Sequence, residues 1–415
     1  MNEPKLRFKA DDGSEFPDWE EKKVANLFSK IKEKNKDGKI QNVITNSAEF
    51  GLINQRDFFD KDIAIDGKTE NYTTIKTGDF VYNPRKSKQA PYGPFNCYQL
   101  KEEGIVSPLY TCLRPKGIAN AEYLLWYFQS GAWYRFIYEN GAQNGARHDR
   151  VGMTDSLMQD IPVYVPRLLE EQQKIADFLS TIDTVIEKQK ATIGAWEERK
   201  KGVMQKLFSQ EVRFKADDGS EFPEWENVTV LDLLVQPITD GPHETPVLEE
   251  NGVSFVSVEA IDNGRVNLTK RRGFISKEYD NVCAKKYKPR LYDVYMVKSG
   301  ATTGKVAIVT ITDDFNIWSP LAAMRTSSKT EAFFLYYQLQ SDMIQNQVWT
   351  KLSLGNQPNL GMRALELFSA VRPCLAEQQK IVDCLSSLDE VIEKQKATLA
   401  AWEELKKGLL QQMFV

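Results

Sequence analysis

Apolar residues recur at helical spacing along two long segments, residues 171–208 and 377–414. Both segments lack proline and are rich in Glu, Lys, Gln, Ala and Leu, which are strong helix formers. A heptad frame fits each segment, so the pattern predicts two long helices that pair as a coiled coil. The seam residues that we expect to pair the helices are Leu179, Ile182, Ile186, Gln189, Ile193 and Trp196 in the first and Leu385, Leu388, Ile392, Gln395, Leu399 and Trp402 in the second.

The polar seam positions leave two interpretations open. Gln189 and Gln395 stand at the same place in both segments and could pair across the seam, which would fix its register. They could equally lie at the edge of the seam, in contact with water. Each helix could also pack on its own neighbouring domain as an ordinary amphipathic element, because apolar stripes at helical spacing are usually part of a core.

The chain is an internal repeat with an offset of 206 residues. RFKADDGSEFPDW at 7–19 returns as RFKADDGSEFPEW at 213–225, with twelve identities in thirteen positions. The helical segments repeat at the same offset, with 26 identities in 38 positions. Such an offset is far longer than the roughly 20–50 residues of a solenoid unit. We therefore expect two copies of a unit in which a variable domain is followed by a long helix.

The variable blocks, residues 20–165 and 226–372, mix strand-like and helical runs. Runs rich in β-branched and aromatic residues predict strands at NVITN, FVYN, LYTCL and IPVYV in the first block and at VSFVSV, VYMVK, VAIVTI and SAVRP in the second. One aromatic helix is predicted in each block, at 121–139 and 331–349, with a stripe more typical of core than of base stacking. The predicted fold is mixed α/β (α+β), with domains at 1–165 and 211–372 and spacer helices at 166–210 and 373–415.

Composition narrows the class of protein. No apolar run approaches the roughly 18 residues that a membrane-spanning helix needs, and the charged amino terminus does not resemble an export signal. The five cysteines form no CxxC pair and there are only two histidines, which argues against a zinc site or a disulfide framework. We therefore expect a cytoplasmic protein that binds no metal.

Charge is distributed unevenly along the chain. The net charge of -4 by itself argues weakly against nucleic-acid binding. Residues 269–305, however, hold ten Lys and Arg against three acids, a local charge of +7. Basic clusters interleaved with Tyr, Asn and Gln suit contacts to phosphates and base edges. A solvated charged surface explains such a stretch equally well.

Motifs that would carry chemistry are incomplete. SGATTGKV at 299–306 has serine where a phosphate loop needs its first glycine and valine where it needs Ser or Thr. The sequence contains no GxGxxG opening a helix, no GxSxG, no HExxH and no Asn/Asp-Pro-Pro-aromatic signature of amino-group methyltransferases. These observations favour a binding component over an enzyme.

Taken together, these features resemble the specificity subunits of type I restriction-modification enzymes. The resemblance covers essentially the whole chain. It is carried by the tandem variable and constant layout, the RF…PEW segment that opens the second half, with its RF…PDW counterpart in the first, and the EQQKI entry after a proline at 166 and 373. DGPHETP at 240–246 and SGATTGKVAIV at 299–309 resemble target-domain motifs of this family. The first block carries GDFVYNPRKSKQAPYG instead, which resembles a different target-domain subtype.

The resemblance implies a division of labour. Each variable block would be a target recognition domain that reads one part of a bipartite, asymmetric DNA site. The two constant helices would form an antiparallel coiled coil with a pseudo-twofold repeat, which spaces the domains and docks the methyltransferase (modification) subunits. S-adenosylmethionine, ATP and magnesium would be bound by modification and restriction subunits, and this chain would be non-catalytic and hold no cofactor.

Loop residues with charged or amide side chains are the predicted DNA contacts. They are Tyr82, Asn83, Arg85, Lys86, Lys88, Arg147, His148 and Arg150 in the first block and His243, Lys298, Ser299, Thr302, Thr303, Lys305, Asn356, Gln357 and Asn359 in the second. The two histidines could equally be loop residues satisfied by local hydrogen bonds, and the three last residues could be turn formers.

Two other functions remain as alternatives. A self-contained DNA methyltransferase or nuclease would bind S-adenosylmethionine or act on DNA as the purified chain. A coiled-coil scaffold that joins partner proteins would show no sequence-specific DNA binding even with methyltransferase subunits present. The basic stretch at 269–305 argues moderately against the scaffold.

Overall fold

The computed structural model describes residues 4–58, 69–140, 148–352 and 358–415. The chain divides into two compact units, unit 1 with Met1–Lys190 and Ala397–Val415, and unit 2 with Ala191–Lys396. Both units mix sheets and helices, which confirms the predicted fold class. Each unit contains one part of each long helix, so the compact units cut across the predicted separation of domains from spacer helices. That separation stays a prediction.

Unit 1 is built on two four-stranded sheets and a two-stranded ribbon. Its strands are β1 (Glu20–Lys23), β2 (Phe28–Lys30), β3 (Val43–Ser47), β4 (Gly51–Asn54), β5 (Thr73–Ile75), β6 (Phe80–Tyr82), β7 (Phe95–Cys97), β8 (Gly104–Val106), β9 (Thr111–Pro115) and β10 (Pro162–Val165). The sheets have the orders β2-β9-β6-β7 and β4-β3-β8-β5, and β1 pairs with β10. Its helices are α1 (Val24–Leu27), α2 (Gln55–Phe58), α3 (Ala121–Ser130), α4 (Tyr134–Glu139), α5 (Asp155–Asp160) and the first part of α6 (Leu169–Phe208).

Unit 2 has sheets of six, three and two strands. Its strands are β11 (Glu226–Thr229), β12 (Thr239–Asp240), β13 (Val253–Val256), β14 (Ile261–Asp262), β15 (Arg265–Val266), β16 (Gly273–Ile275), β17 (Val294–Val297), β18 (Val306–Ile308), β19 (Phe315–Ile317), β20 (Leu321–Met324) and β21 (Ser369–Arg372). The sheet orders are β12-β20-β17-β18-β15-β14, β16-β13-β19 and β11-β21. The helices are α7 (Lys277–Ala284), α8 (Ala332–Gln340), α9 (Asp342–Lys351), α10 (Met362–Glu366) and α11 (Leu375–Met413), and short 3₁₀ turns lie at Leu231–Leu233, Val258–Ala260 and Leu268–Lys270.

All eight predicted strand runs coincide with strands of the structure, but the two predicted aromatic helices need correction. Each is broken into two helices, α3 with α4 and α8 with α9. The first break falls at Gly131, whose φ of 76° lies in the left-handed region that ends helices. The second falls at Ser341, whose extended backbone begins a new helix. The aromatic stripes are core as predicted, because Tyr123, Phe334 and Tyr337 are fully buried.

The inner strands β6 and β17 are buried on both faces. In β6, Phe80 and Tyr82 pack in the cluster that contains α3, while Val81 packs with the second sheet on the other side. The alternate residues of β17 likewise divide between two hydrophobic clusters. Side chains of a strand alternate between the two faces of its sheet, so a strand enclosed on both faces has no exposed side chain.

The two long helices run antiparallel within each unit. In unit 2, Lys200 forms an ion pair with Asp389 at 2.6 Å. Three residues earlier in α6, Glu197 pairs with a residue later in α11, Lys396, at 2.9 Å. In unit 1, the equivalent of the first pair joins Lys406 to Asp183. The heptad frame of the seam continues through positions 200 and 406, and both positions hold lysines that pair with an aspartate of the other helix.

The predicted seam residues differ in burial. Those that are buried are Leu179, Ile182, Ile186, Ile193, Leu385 and Ile392. Those that are half-buried are Gln189, Trp196, Leu388, Gln395, Leu399 and Trp402. Gln189 belongs to unit 1 and Gln395 to unit 2, and their pairing stays a prediction. None of the helices within the described ranges is both long enough and apolar enough to cross a membrane.

The constant segment that opens each half clamps the first turn of a long helix. Arg7 donates from Nε and Nη2 to the two carboxylate oxygens of Glu171, each at 3.0 Å. Trp19 Nε1 donates to the same carboxylate at 3.1 Å. The equivalent contacts of unit 2, at 2.8–3.1 Å, join Arg213 and Trp225 to Glu377. Both glutamates are fully buried, so the near-identity of the two segments reflects a shared buried contact.

The glutamine after each clamped glutamate ties the long helix to its domain. Gln172 Nε2 donates to the carbonyl of Pro166 at 2.7 Å, and its Oε1 accepts from the backbone of Asn120, the N-cap of α3, at 2.7 Å. In unit 2 the same bonds, each at 2.8 Å, join Gln378 to Pro373 and to Glu331, the N-cap of α8. The proline and the EQQ triplet of the sequence motif are therefore parts of one structural joint.

Candidate nucleic-acid interface

The predicted contact loops of unit 1 lie side by side. Arg85 and Arg150 form an antiparallel bridge, and the backbone N–H of Lys86 donates to the backbone carbonyl of Asp149 at 2.9 Å. This pairing brings Arg85 and Lys86 next to the predicted residues His148 and Arg150. Arg85, Lys88 and His148 are exposed. The structure therefore assembles a cationic surface from two segments that are about sixty residues apart in the sequence.

The predicted loops of unit 2 are joined in the same way. Ser299 and Asn359 form an antiparallel bridge, and the backbone N–H of Leu360 donates to the backbone carbonyl of Lys298 at 2.7 Å. Lys305 and Asn359 are exposed, and Ser299 and Thr302 are half-buried. The loops follow the inner strands β6 and β17, which pair with β9 and β20 respectively in matching antiparallel registers. The two units thus present the same backbone arrangement with different side chains, arginines in unit 1 and serine with asparagine in unit 2.

Two predicted contacts in unit 1 have to be corrected. Tyr82 lies in strand β6 rather than in a loop, is fully buried, and donates its hydroxyl hydrogen to the carbonyl of Tyr92 at 2.8 Å. Burial also raises the pKa of its phenol. Asn83 is buried because its side chain closes the turn after the strand, donating to the carbonyl of Asn46 and accepting from the backbone of Arg85. The buried side chains of both residues therefore hold the loop in place and do not face solvent.

Two predicted contacts in unit 2 are also buried. Lys298 points its ammonium group towards the buried carboxylate of Asp240, 3.3 Å away. Thr303 donates to the carbonyl of Gly300 at 2.7 Å and so closes the loop on itself. Both residues lie in the predicted loop, but their side chains are engaged inside the protein. Three further predicted residues lie outside the described residues, namely Arg147, Asn356 and Gln357.

A buried ion pair anchors each inner strand beside the loop that follows it. Asp79, directly before β6, accepts two hydrogen bonds from Arg114 of β9 at 2.8 and 2.9 Å. Asp293, directly before β17, accepts two from Arg325, both at 2.7 Å. Hydrogen bonding to these carboxylates raises the pKa of both arginines. GDFVYN at 78–83 and YDVYMV at 292–297 therefore each contain an aspartate that pairs with an arginine at the equivalent register position.

The basic stretch at 269–305 is less positive in the folded protein than its sequence suggests. Five of its lysines form ion pairs with aspartates, three of which lie outside the stretch; the lysines are Lys270, Lys277, Lys286, Lys288 and Lys298. Arg271 and Arg272 stack on Phe274 and Trp318, each with 4.2 Å between guanidinium carbon and ring centroid. The local charge of +7 is therefore partly compensated by neighbours that the sequence places elsewhere.

Asp240 collects three cationic side chains at one point of unit 2. Its carboxylate is fully buried. Oδ1 accepts a hydrogen bond from Lys286 Nζ, while Oδ2 lies 3.0 Å from His243 Nε2 and 3.3 Å from Lys298 Nζ. These last two contacts are close enough for ion pairing but lack hydrogen-bond geometry, so Oδ2 has no hydrogen-bond donor. Within the described residues, no group of His, Cys, Asp and Glu is arranged to hold a metal ion.

Comparison with known proteins identifies the family. A family model described as "Type I restriction modification DNA specificity domain" matches residues 17–193 and 224–401. The chain belongs to this family. Each matched range contains one variable block, the end of the clamp segment and the first part of a long helix.

Individual relatives cover smaller parts of the chain. The type I restriction enzyme MjaVIII specificity subunit of Methanocaldococcus jannaschii is 27% identical over 270 residues, which is 61% of this chain and 61% of the relative. The putative MjaX specificity subunit of the same organism is 25% identical over 214 residues, 50% of this chain and 49% of the relative. The matches thus span less than two thirds of these relatives.

Solved structures share the fold over nearly the whole chain. One, from a study of complex assembly and conformational transition of the type I R-M system, has a TM-score of 0.55 at 16% identity and covers 96% of this chain and 98% of its own. The S subunit of the type I restriction-modification system of M. genitalium has a TM-score of 0.51 at 13% identity, with coverage of 100% and 99%. Both likenesses concern the fold.

Several residues of the two specificity domains that bear on the site were not predicted from the sequence. Tyr138 and Trp349 stand at equivalent places in α4 and α9, and they are 61% and 68% exposed. The signal that marks them is an aromatic residue directly after the buried Ile137 and Val348. Asp240 was also missed, although it opens the DGPHETP segment from which only the histidine was selected.

Proposed function

We propose that this protein is the specificity subunit of a type I restriction-modification complex and that it reads a bipartite, asymmetric DNA target. The observation that carries the proposal is the paired loop after the inner strand of each unit. The two units hold these loops on the same backbone framework but equip them with different side chains. Base edges are read by side chains, so two different loops should read two different half-sites.

Partner subunits would supply the chemistry. In this proposal the long helices dock methyltransferase (modification) subunits, which bind S-adenosylmethionine and methylate adenine, and restriction subunits bring ATP and magnesium. This chain selects the DNA sequence on which they act and is non-catalytic. Membership of the family supports this assignment. The residues of the constant segments make buried contacts with the long helices, which supports a role for these segments as a joint between domain and helix.

Exchange of one variable block tests the proposal. Residues 20–165 would be replaced by the corresponding block of another specificity subunit, and the chain would be expressed with its modification subunit. We expect methylated adenines, mapped by sequencing, to show one altered half-site and one unchanged half-site. The matched control replaces residues 226–372 and should alter the other half-site only.

The same exchange variants and the purified chain also distinguish the alternative functions. If an exchange alters both half-sites, the two domains do not read DNA independently. If the purified chain alone methylates or cuts DNA, it is an enzyme in its own right. If the complex methylates without any sequence preference, the chain acts as a scaffold.

A further inference from the structure

Asp240 is an unusual residue for the edge strand on which it lies. β12 is two residues long and pairs with β20, so that Asp240 faces Ala322, a fully buried apolar residue. A carboxylate in such surroundings is costly unless cations stay close to it. Lys286 and Lys298 provide those cations, and His243 adds a third when it is protonated; the three side chains come from separate segments of the chain. The buried acid therefore determines where three basic side chains converge.

The backbone beside Asp240 fixes the position from which the side chain of His243 extends. Gly241 lies so close to the turn after β19 that a Cβ atom would stand 1.9 Å from the carbonyl oxygen of Ile317. The next residue, Pro242, accepts a hydrogen bond from the backbone of Ser319 at 3.2 Å. The segment is thus pressed against the β19–β20 turn, and only glycine fits at 241. His243 emerges from this fixed base.

The cluster exposes two of its three basic side chains, those of His243 and Lys286, and buries its anion. The side chains of His243 and Lys286 are 71% and 51% exposed, whereas that of Asp240 is inaccessible. Two lysines and one carboxylate leave a net charge of +1, which rises to +2 when the histidine is protonated. The nearest further acid on the segment, Glu244, accepts from the hydroxyl of Tyr279 at 3.1 Å. The surface that reaches solvent is therefore cationic.

An aromatic and basic neighbour extends this surface. Trp318 Nε1 donates to the backbone carbonyl of Glu244 at 3.1 Å, which holds the ring beside the histidine segment. The guanidinium of Arg272 stacks on that ring at 4.2 Å. Three basic side chains, those of His243, Lys286 and Arg272, thus lie on one side of unit 2 around the ring of Trp318 and the carboxylate of Asp240. Such an arrangement suits one phosphate of a nucleic-acid backbone.

We propose that Asp240 is a positioning residue that holds His243 and Lys286 against one phosphate of the DNA half-site bound by unit 2, and that this contact strengthens when His243 is protonated. The inference rests on the proposed function. Histidine is the side chain whose charge ordinarily changes between about pH 5 and 8. The charged groups around the imidazole are Asp240, Lys298 and Lys286, with Glu244 next to it in the chain. The other histidine of the chain, His148, is exposed in the predicted contact loop of unit 1, so the part of the pH response that His243 carries belongs to the half-site of unit 2.

Binding of a duplex that carries the target sequence tests the proposal. The complete chain, assembled with its modification subunits, would be titrated with DNA at pH 6 and pH 8 and at several salt concentrations. We expect the unmodified complex to bind about three- to tenfold more tightly at pH 6, since one extra charge meets a phosphate. His243→Gln should remove the part of this difference that unit 2 contributes, leaving at most the part that His148 of unit 1 contributes, and should lower the slope of log affinity against log salt by up to about one at pH 6.

Variants of the buried acid separate positioning from simple electrostatics. Asp240→Asn removes one negative charge and so raises the net charge of the cluster by one, which by electrostatic attraction alone would tighten DNA binding. Positioning requires the opposite: we expect about tenfold weaker binding and a pH response as small as that of His243→Gln. Lys286→Gln, a change on the surface, should weaken binding at both pH values and keep the pH response. The methylated sequence should stay the same in all three variants, because phosphate contacts carry no base information.

The outcomes that would overturn the proposal are distinct. A His243→Gln complex that keeps the full pH response, or an Asp240→Asn complex that binds as tightly as the unmodified one, contradicts it. The unfolding midpoint of each variant shows whether weak binding reflects a disrupted unit, and in that case the surface variants His243→Gln and Lys286→Gln decide. If the unmodified complex shows no sequence-specific binding at all, the proposed function fails; if it binds specifically and the variants match it, only this inference fails.

Discussion

At the residue scale, the buried pairs of aspartate and arginine explain how each inner strand is held. Asp293 is inaccessible and receives two charge-assisted hydrogen bonds from Arg325, together with one from the hydroxyl of Tyr287 at 2.6 Å. Loss of one member of a buried pair leaves the other charge uncompensated. The contact loop begins directly after this strand, so its position depends on the pair.

Asp293→Asn should therefore lower the free energy of unfolding of unit 2 by about 3 kcal/mol. Urea denaturation followed by circular dichroism would measure the change. The matched control is Asp313→Asn, because Asp313 is exposed; it should change the free energy by less than about 0.5 kcal/mol. Equal effects of the two substitutions would show that the buried pair contributes little.

The ion-pair cluster around Asp280 makes unit 2 sensitive to acid. Burial raises the pKa of this carboxyl, but hydrogen bonds from Lys288, Asn316 and Lys277 outweigh it, so the pKa lies below its ordinary value. A carboxyl with a lowered pKa in the folded state stabilises the protein above its unfolded pKa and loses that contribution as pH falls through the folded value. The loss should begin near pH 4, where an unfolded aspartate titrates.

We therefore expect the free energy of unfolding of unit 2 to be nearly constant from pH 7 to 5 and to fall below about pH 4. Asp280→Asn should be less stable at pH 7 and should show a shallower decline between about pH 4 and 2.5. Denaturant titrations across this range measure both effects. A decline with the same slope in both proteins would mean that other carboxyls dominate the acid response.

The site could be predicted from the sequence only in part. Charge and turn residues identified the loops around Arg85 and Ser299, and the structure brings the segments of each site together. The burial of Tyr82 and Lys298 could not be predicted, because it depends on the α3 cluster that covers one face of β6 and on Asp240, which lies 58 residues before the lysine. Asp240 itself was missed for the same reason, since an isolated acid in a sequence does not reveal which cations surround it.

At the element scale, polar seam residues set how the long helices meet. Lys200 and Asp389 are both largely buried, and the aspartate also accepts from the hydroxyl of Tyr337 at 2.8 Å. The lysine lies 5.2 Å from the centre of the same tyrosine ring. The seam was predicted from its apolar residues, and the lysine stood out only as an exception to the pattern. Its aspartate partner lies off the seam, so the heptad frame alone could not identify it.

A charge exchange measures this contact. Lys200→Asp places two carboxylates together and should destabilise unit 2 by about 2 kcal/mol. Lys200→Asp combined with Asp389→Lys should recover about half of that loss, because the ion pair returns while the bond to Tyr337 does not. Denaturation of the two single variants and the double variant gives the interaction energy. Strictly additive effects would show that the pair contributes nothing to helix pairing.

The breaks in the two aromatic helices show why the presence of a helix was easier to predict than the point at which it ends. The aromatic pattern continues through residues 121–139, which indicated a single helix, although Gly131 adopts a positive φ and ends α3. Ser341 interrupts the second helix without any glycine or proline. Its side-chain hydroxyl donates to the carbonyl of Gln338 at 2.7 Å, a local contact that competes with the helix and is not evident from periodicity.

At the scale of the whole molecule, the repeat was the most informative feature of the sequence. It predicted two equivalent units, and the structure shows why the constant parts are constant: the clamp on Glu171 and Glu377 and the main bonds of Gln172 and Gln378 recur between equivalent residues. The variable parts share residues that hold their strands, such as Asp79 and Asp293. Repetition therefore marks the joint between domain and helix, and divergence marks the surfaces that we propose for DNA.

If the long helices set the distance between the two half-sites, shortening them should shorten the unspecified bases between those half-sites. Deleting residues 188–194 from α6 and 395–401 from α11 removes one heptad from each helix, which preserves the phase of the apolar seam. Seven residues span about 10.5 Å of helix, close to the rise of about three base pairs. We expect methylation mapping to find both half-sites unchanged and about three fewer bases between them. The control inserts four glycines into the exposed segment at Ser209–Glu211, which leaves the helices intact and should leave the spacing as it was. An unchanged spacing in the heptad deletion, with methylation retained, would mean that something other than the helices measures the distance along DNA.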